Sequence, residues 1–156
     1  MKATSLTDAR ILIVDDVPAN LGALGEFLMA AGAKVFIAQS GPAALSRLGN
    51  VQPDIVLLDV NMPEMDGLEV CRRLKADPAS TEVPVLFITA LDDVVDKVAG
   101  FDAGGVDYIT KPFQSEDVLA RVAAHLRNRK LQRELAAHAA ELQDKNEALD
   151  LEMQRR

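Results

Sequence analysis

Cysteine is nearly missing from this chain of 156 residues, with Cys71 the single instance. An internal disulfide is therefore impossible and a cysteine-based zinc site is excluded, which leaves a reduced, packed thiol as the expectation. Long apolar runs are missing as well. No stretch approaches the roughly 20 consecutive apolar residues that cross a bilayer, and the N-terminus lacks the apolar core of a signal peptide. The chain is expected to be soluble and cytoplasmic, with no membrane partner. Positive charge is in deficit, at a formal net charge of -7 with no long Lys/Arg run. That balance speaks against a nucleic-acid partner, because neutralising phosphates supplies most of such affinity. Arg127, Arg129, Lys130 and Arg133 come nearest to a basic cluster and are expected to be the solvated face of a helix. Glycine and proline disappear after Ser115, so nothing in that stretch marks the end of a helix.

What is present is an apolar content of 49%, enough for one compact core with an appendage. Short apolar runs rich in β-branched residues cover Arg10 to Asp15, Lys34 to Ala38, Asp54 to Asp59, Val83 to Thr89 and Val106 to Ile109. Each reads as a strand. Between them the apolar residues take helical spacing: Leu21, Leu24, Phe27 and Leu28, then Ala44, Leu45 and Leu48, then Leu68, Val70, Cys71 and Leu74, then Val94, Val95, Val98 and Phe101. The strands are continuous apolar runs, which predicts a parallel sheet covered on both faces, a doubly wound α/β fold. Gly32, Pro42, Pro53, Pro78 and Pro84 punctuate the boundaries. Ser115, followed by Glu116 and Asp117, starts a fifth helix.

A helix continued from there to the last residue would be about 60 Å long, more than so small a domain covers, so its far half is expected to project. Leu135, Leu142 and Leu149 recur every seven residues in that half, with Ala139, Asn146 and Met153 four residues after each. This is a short heptad seam in which Asn146 is the polar member that fixes parallel register, and Lys145 and Asp150 flank it with opposite charge. A frayed, charged helix is the alternative, since helices of this size are marginal alone.

In an open parallel sheet, ligands bind beyond the carboxyl ends of the strands. There the first strand ends in Asp15-Asp16, the third in Asp59 and the fourth in Thr89, and the fifth is followed by Lys111-Pro112. Crowded carboxylates repel unless a cation shares them, and an all-oxygen site suits magnesium. With the charge balanced, Lys111 and Thr89 can hold a phosphoryl group while an aspartate acts as nucleophile, giving an acyl phosphate.

With these residues in that order, the chain resembles the receiver domain of two-component response regulators. The resemblance covers about Ala9 to Asn128 and rests on Ile13-Val14-Asp15-Asp16, on Leu57 to Gly67, on Thr89-Ala90 and on Asp107 to Phe113. It implies a flavodoxin-like sheet of strand order 2-1-3-4-5, with a receiver over residues 9–128 and a coiled-coil helix over 129–156. It further implies that Asp59 is the phosphoacceptor. Asp16, Asp59 and the backbone carbonyl of Asn61 would ligate Mg2+ (or Mn2+), with Asp15 acting through water. Thr89 and Tyr108 would be switch residues, Lys111 would contact phosphate, and the Lys111-Pro112 peptide would be cis. The implied partners are a histidine kinase or phosphotransfer protein, a second copy through the C-terminal helix, and a downstream output domain. The chain itself would be no enzyme beyond catalysing its own phosphorylation and dephosphorylation. One departure is Gly104-Gly105, where the family more often has Gly-Ala. Two rival readings are a docking or dimerisation module with no effector and a haloacid-dehalogenase-like phosphatase. The latter needs an acid two residues after the nucleophile, where this chain has Asn61.

Overall fold

A computed structural model describes residues 6–90 and 94–155, residues 94–97 by backbone alone. Strand and helix alternate: β1 (Arg10–Val14), α1 (Pro18–Ala30), β2 (Lys34–Ala38), α2 (Gly41–Val51), β3 (Ile55–Asp59), α3 (Gly67–Ala76), β4 (Val85–Ala90), α4 (Val94–Asp102), β5 (Asp107–Lys111) and α5 (Ser115–Gln154). The strands form one parallel sheet in the order β2-β1-β3-β4-β5, the doubly wound, flavodoxin-like arrangement.

The pattern of apolar residues explains the layers. β3 is buried along its whole length, and so are all residues of β1 after Arg10. Alternate side chains feed two cores. On one face Ile11, Ile13, Leu57, Leu86 and Ile88 meet Leu21, Leu24 and Leu28 of α1 and Val118 and Val122 of α5. On the other, Leu12, Val14, Val56, Leu58 and Phe87 meet Ala44 of α2 and Val70, Cys71 and Leu74 of α3. Each fully buried aliphatic side chain here contributes about 1.5–3 kcal/mol. The helix ends follow local chemistry. Ser40 Oγ accepts from the Ala43 N–H and Asp66 Oδ1 from the Glu69 N–H, capping α2 and α3, while Gly32 follows α1 at a φ of +99° that only glycine takes freely.

Two differences from the sequence expectation stand out. β4 and β5 lie further along than the apolar runs suggest, so that Thr110 and Lys111 belong to β5 and pair with Thr89 and Ala90. In α4, Val98 and Phe101 point outward and are exposed. Gly100 faces the Phe87 ring of β4 instead, and Ala103, just past the helix, is buried in the core. Val94 and Val95, expected on the same apolar face, lie outside the residues whose side chains are described.

The chain divides into two units, Met1–Leu126 and Arg127–Arg156. The first contains the sheet. The second is the later part of α5, exposed throughout from residue 131 to residue 155. No helix among the described residues is long and apolar enough to cross a membrane.

Candidate functional site

Parallel pairing places the ends of β1, β3, β4 and β5 side by side, and the groups expected at that edge converge. One carboxylate oxygen from each of Asp15, Asp16 and Asp59 lies within 4.8 Å of the others. Asp15 is fully buried and held from both sides: Oδ1 accepts the Val17 N–H at 2.9 Å and Oδ2 accepts the Asn20 amide at 3.1 Å. Asp59, 3% exposed at the end of β3, accepts the Asn61 N–H at 3.2 Å. Lys111 reaches over both acids, with Nζ 3.9 Å from Asp15 Oδ2 and 3.8 Å from Asp59 Oδ1.

The electrostatics of this edge are unbalanced. Burial and the neighbouring Asp15 charge push the Asp59 carboxyl up to about 7, against the pull of Lys111 and the Asn61 N–H. A single ammonium does not neutralise three acids. Only hard oxygen donors line the cluster, and its third member, Asp16, is partly open to solvent, so the residues fit a hard divalent cation that keeps some of its water. Thr89 Oγ1 is buried at the end of β4 without a hydrogen-bond partner among the described residues. A buried hydroxyl left unpaired costs about 1–3 kcal/mol, so this one is poised for an acceptor that enters from outside. Together the groups can receive a phosphoryl group: an aspartate oxygen to attack, a cation site to spread charge, and a lysine and a threonine to hold the oxygens.

Tyr108 lies one strand over, half-buried on β5, and the Lys111-Pro112 peptide bond is cis. The seam residues are Leu135, Ala139, Leu142, Asn146, Leu149 and Met153. They lie in the second unit and are exposed, Leu135 at 71% and Leu142 at 61%.

Sequence reasoning overlooked two contributors. Asn20 orients Asp15 from the first turns of α1, and its only signal was its helical spacing from the acidic pair. Gly67 lies within the Leu57 to Gly67 motif but received no role. A Cβ there would stand 2.1 Å from the Asp59 carbonyl oxygen, and the Gly67 N–H binds the Val60 carbonyl at 2.9 Å. Only glycine lets α3 start this close to β3.

A doubly wound parallel sheet with three acids, a lysine and a buried threonine at its carboxyl edge defines a phosphoryl-handling signalling domain of the kind the motifs suggested. The chain belongs to the response regulator receiver domain family, which matches residues 11–123. It is 47% identical to response regulator PleD of Caulobacter vibrioides over 114 residues, 73% of this chain and 25% of PleD. To response regulator MprA of Mycobacterium sp. (strain KMS) it is 48% identical over 118 residues, 76% of this chain and 50% of MprA. The crystal structure of the signal receiver domain of a signal transduction histidine kinase from Syntrophus aciditrophicus superposes with a TM-score of 0.70 at 36% identity, over 76% of this chain and 89% of that one. The chain thus spans between a quarter and a half of these two curated relatives.

Proposed function

We propose that this receiver takes a phosphoryl group from a phosphohistidine, on a histidine kinase or phosphotransfer protein, onto Asp59. The convergence of Asp15, Asp16, Asp59 and Lys111, with the Thr89 hydroxyl buried and unpaired among the described residues, carries the reading. Asp15, Asp16, Asp59 and the backbone carbonyl of Asn61 would hold Mg2+ (or Mn2+), which supplies charge neutralisation for the incoming group. An Asp59 carboxylate oxygen attacks phosphorus, the P–O bond forms as the P–N bond of phosphohistidine breaks, and the imidazole departs with the electron pair. Lys111 holds one phosphoryl oxygen as an ammonium point charge and Thr89 donates its hydroxyl to another. Hydrolysis of the acyl phosphate resets the domain, and the chain performs no other chemistry.

Thr89 and Tyr108 are the switch. New charge-assisted hydrogen bonds shift the population between two conformers, and the α4-β5-α5 face reports the change. The C-terminal helix pairs with a second copy through its leucine seam and passes the change to an output domain or docked target. The setting is the cytoplasm, with neither nucleic acid nor membrane as a partner of this chain.

The test is transfer from a 32P-labelled histidine kinase, or from acetyl phosphate, to the wild type and to Asp59→Asn. Label on the wild type that requires magnesium and vanishes in the variant is the expected result. Undiminished labelling of Asp59→Asn, or indifference to magnesium, overturns the reading.

A further inference from the structure

Tyr108 is in contact with a second aromatic ring. Phe101 of α4 meets it edge-on, with ring centroids 5.9 Å apart and planes at 73°, the geometry in which one ring's positive edge faces the other's negative face. Phe101 is 50% exposed, so burial in the core does not account for its position. Its placement comes from the backbone beneath it.

Phe87, on β4, is 3% exposed and sits in a notch made by two glycines. A Cβ on Gly100 would stand 2.8 Å from the Phe87 Cδ2, and a Cβ on Gly105 would stand 2.3 Å from its Cε2. The notch is closed by backbone hydrogen bonds: the Gly105 N–H donates to the Gly100 carbonyl at 3.0 Å and the Gly104 N–H to the Phe101 carbonyl at 3.1 Å. The last turn of α4 is therefore seated directly on the Phe87 ring. Phe87 is also the cross-strand partner of Tyr108 and precedes Thr89 by two residues, on the same face of the sheet. This seating delivers the ring of the next residue, Phe101, to Tyr108.

We infer that Phe101 is a positioning residue for Tyr108, and that the Phe101–Tyr108 contact holds the unphosphorylated conformer in place. The inference rests on the reading of Thr89 and Tyr108 as the switch. On this inference the inward turn of Tyr108 gives up the edge-on contact, so the strength of that contact sets how strongly the resting conformer is favoured. An edge-to-face pair is worth about a 2- to 10-fold shift in such an equilibrium.

The chain reports on this by itself, because Tyr108 is its only tyrosine and tryptophan is absent. Tyrosine emission therefore follows this one ring. The experiment titrates the wild type, Phe101→Leu and Phe101→Ala with beryllofluoride in the presence of magnesium, recording emission and, separately, binding heat. In the wild type, emission should change as beryllofluoride saturates. In both variants the emission before any addition should already lie towards the saturated value, and half-saturation should need about 2- to 10-fold less beryllofluoride. A merely structural role would lower the melting temperature and alter the emission of the neighbouring Tyr108, but would leave half-saturation at the wild-type value. Variants with wild-type half-saturation overturn the inference and leave the site reading standing. The same holds if the wild type binds beryllofluoride with no change in emission. A wild type that binds no beryllofluoride at all sinks the site reading, and this inference with it.

Discussion

At the scale of single residues, the Gly104-Gly105 departure noticed in the sequence has a steric cause. The space that an alanine methyl would fill at position 105 is taken by the Phe87 ring. Gly105 does not have a positive φ, so its backbone would accept alanine and the cost of Gly105→Ala is overpacking alone. That cost is expected to be about 1–3 kcal/mol in urea denaturation. Phe87→Leu in the same chain should recover part of it, because the two positions share one volume and their effects are not additive. A double variant whose loss equals the sum of the single losses would show that the ring is not the obstacle. Cys71 illustrates the opposite outcome, where the sequence expectation of a packed thiol matches the structure. It is fully buried, its Sγ contacts the Ala103 carbonyl at 3.4 Å, and burial pushes the thiol up to about 11.

At the scale of elements, continuous apolar runs and their punctuation made the alternation and the parallel sheet legible. What they left out were polar residues that finish a strand. Thr110 and Lys111 extend β5 because they pair with β4, and no hydropathy pattern marks that ladder. The apolar spacing in α4 turned Phe101 inward on paper, whereas the glycine notch around Phe87 leaves it outward. The site's acids, Thr89 and Lys111 were legible because each sits at a strand end. Asn20 and Gly67 were not, because orienting a carboxylate or making room for a helix leaves no distinctive residue pattern.

The tie between β5 and α5 was equally hidden by sequence distance. Asp107 accepts from Arg121 at 2.8 Å and meets His125 at 3.0 Å, and Arg121 also reaches Asp117 at 3.0 Å. Burial raises the Asp107 proton affinity, but the His125 contact, the Tyr108 N–H and Arg121 outweigh it and hold the carboxyl below its ordinary 3.8. A folded-state value below the unfolded one stabilises the protein above the unfolded value and loses that contribution as pH falls through the folded value. Asp107→Asn should therefore cost about 1–2 kcal/mol near neutral pH. The gap from the wild type should close as denaturation curves are taken to pH below about 4. A gap independent of pH would mean that the carboxylate charge plays no part in joining β5 to α5.

At the scale of the whole molecule, the proposed pairing with a second copy rests on the exposed leucines of the second unit. The spacing from Leu135 to Ala139 and from Leu142 to Asn146 places the leucines at d and Asn146 at a. In a parallel, in-register pair Asn146 faces its own copy, and Lys145 at g reaches Asp150 at e of the other helix, five positions on. An antiparallel pair would set the amide against leucine and leave it unsatisfied. Asn146→Cys is therefore expected to crosslink to itself under mild oxidation. Background from Cys71 should be low, since that thiol is buried and holds its proton. Lys145→Asp should weaken self-association in sedimentation equilibrium, and adding Asp150→Lys should restore it. If beryllofluoride changes the crosslinking of cysteines placed along the seam, pairing answers to the state of Asp59. A pattern identical with and without it would confine the switch to the first unit, and a monomer at all concentrations would rule out the seam as an interface between copies.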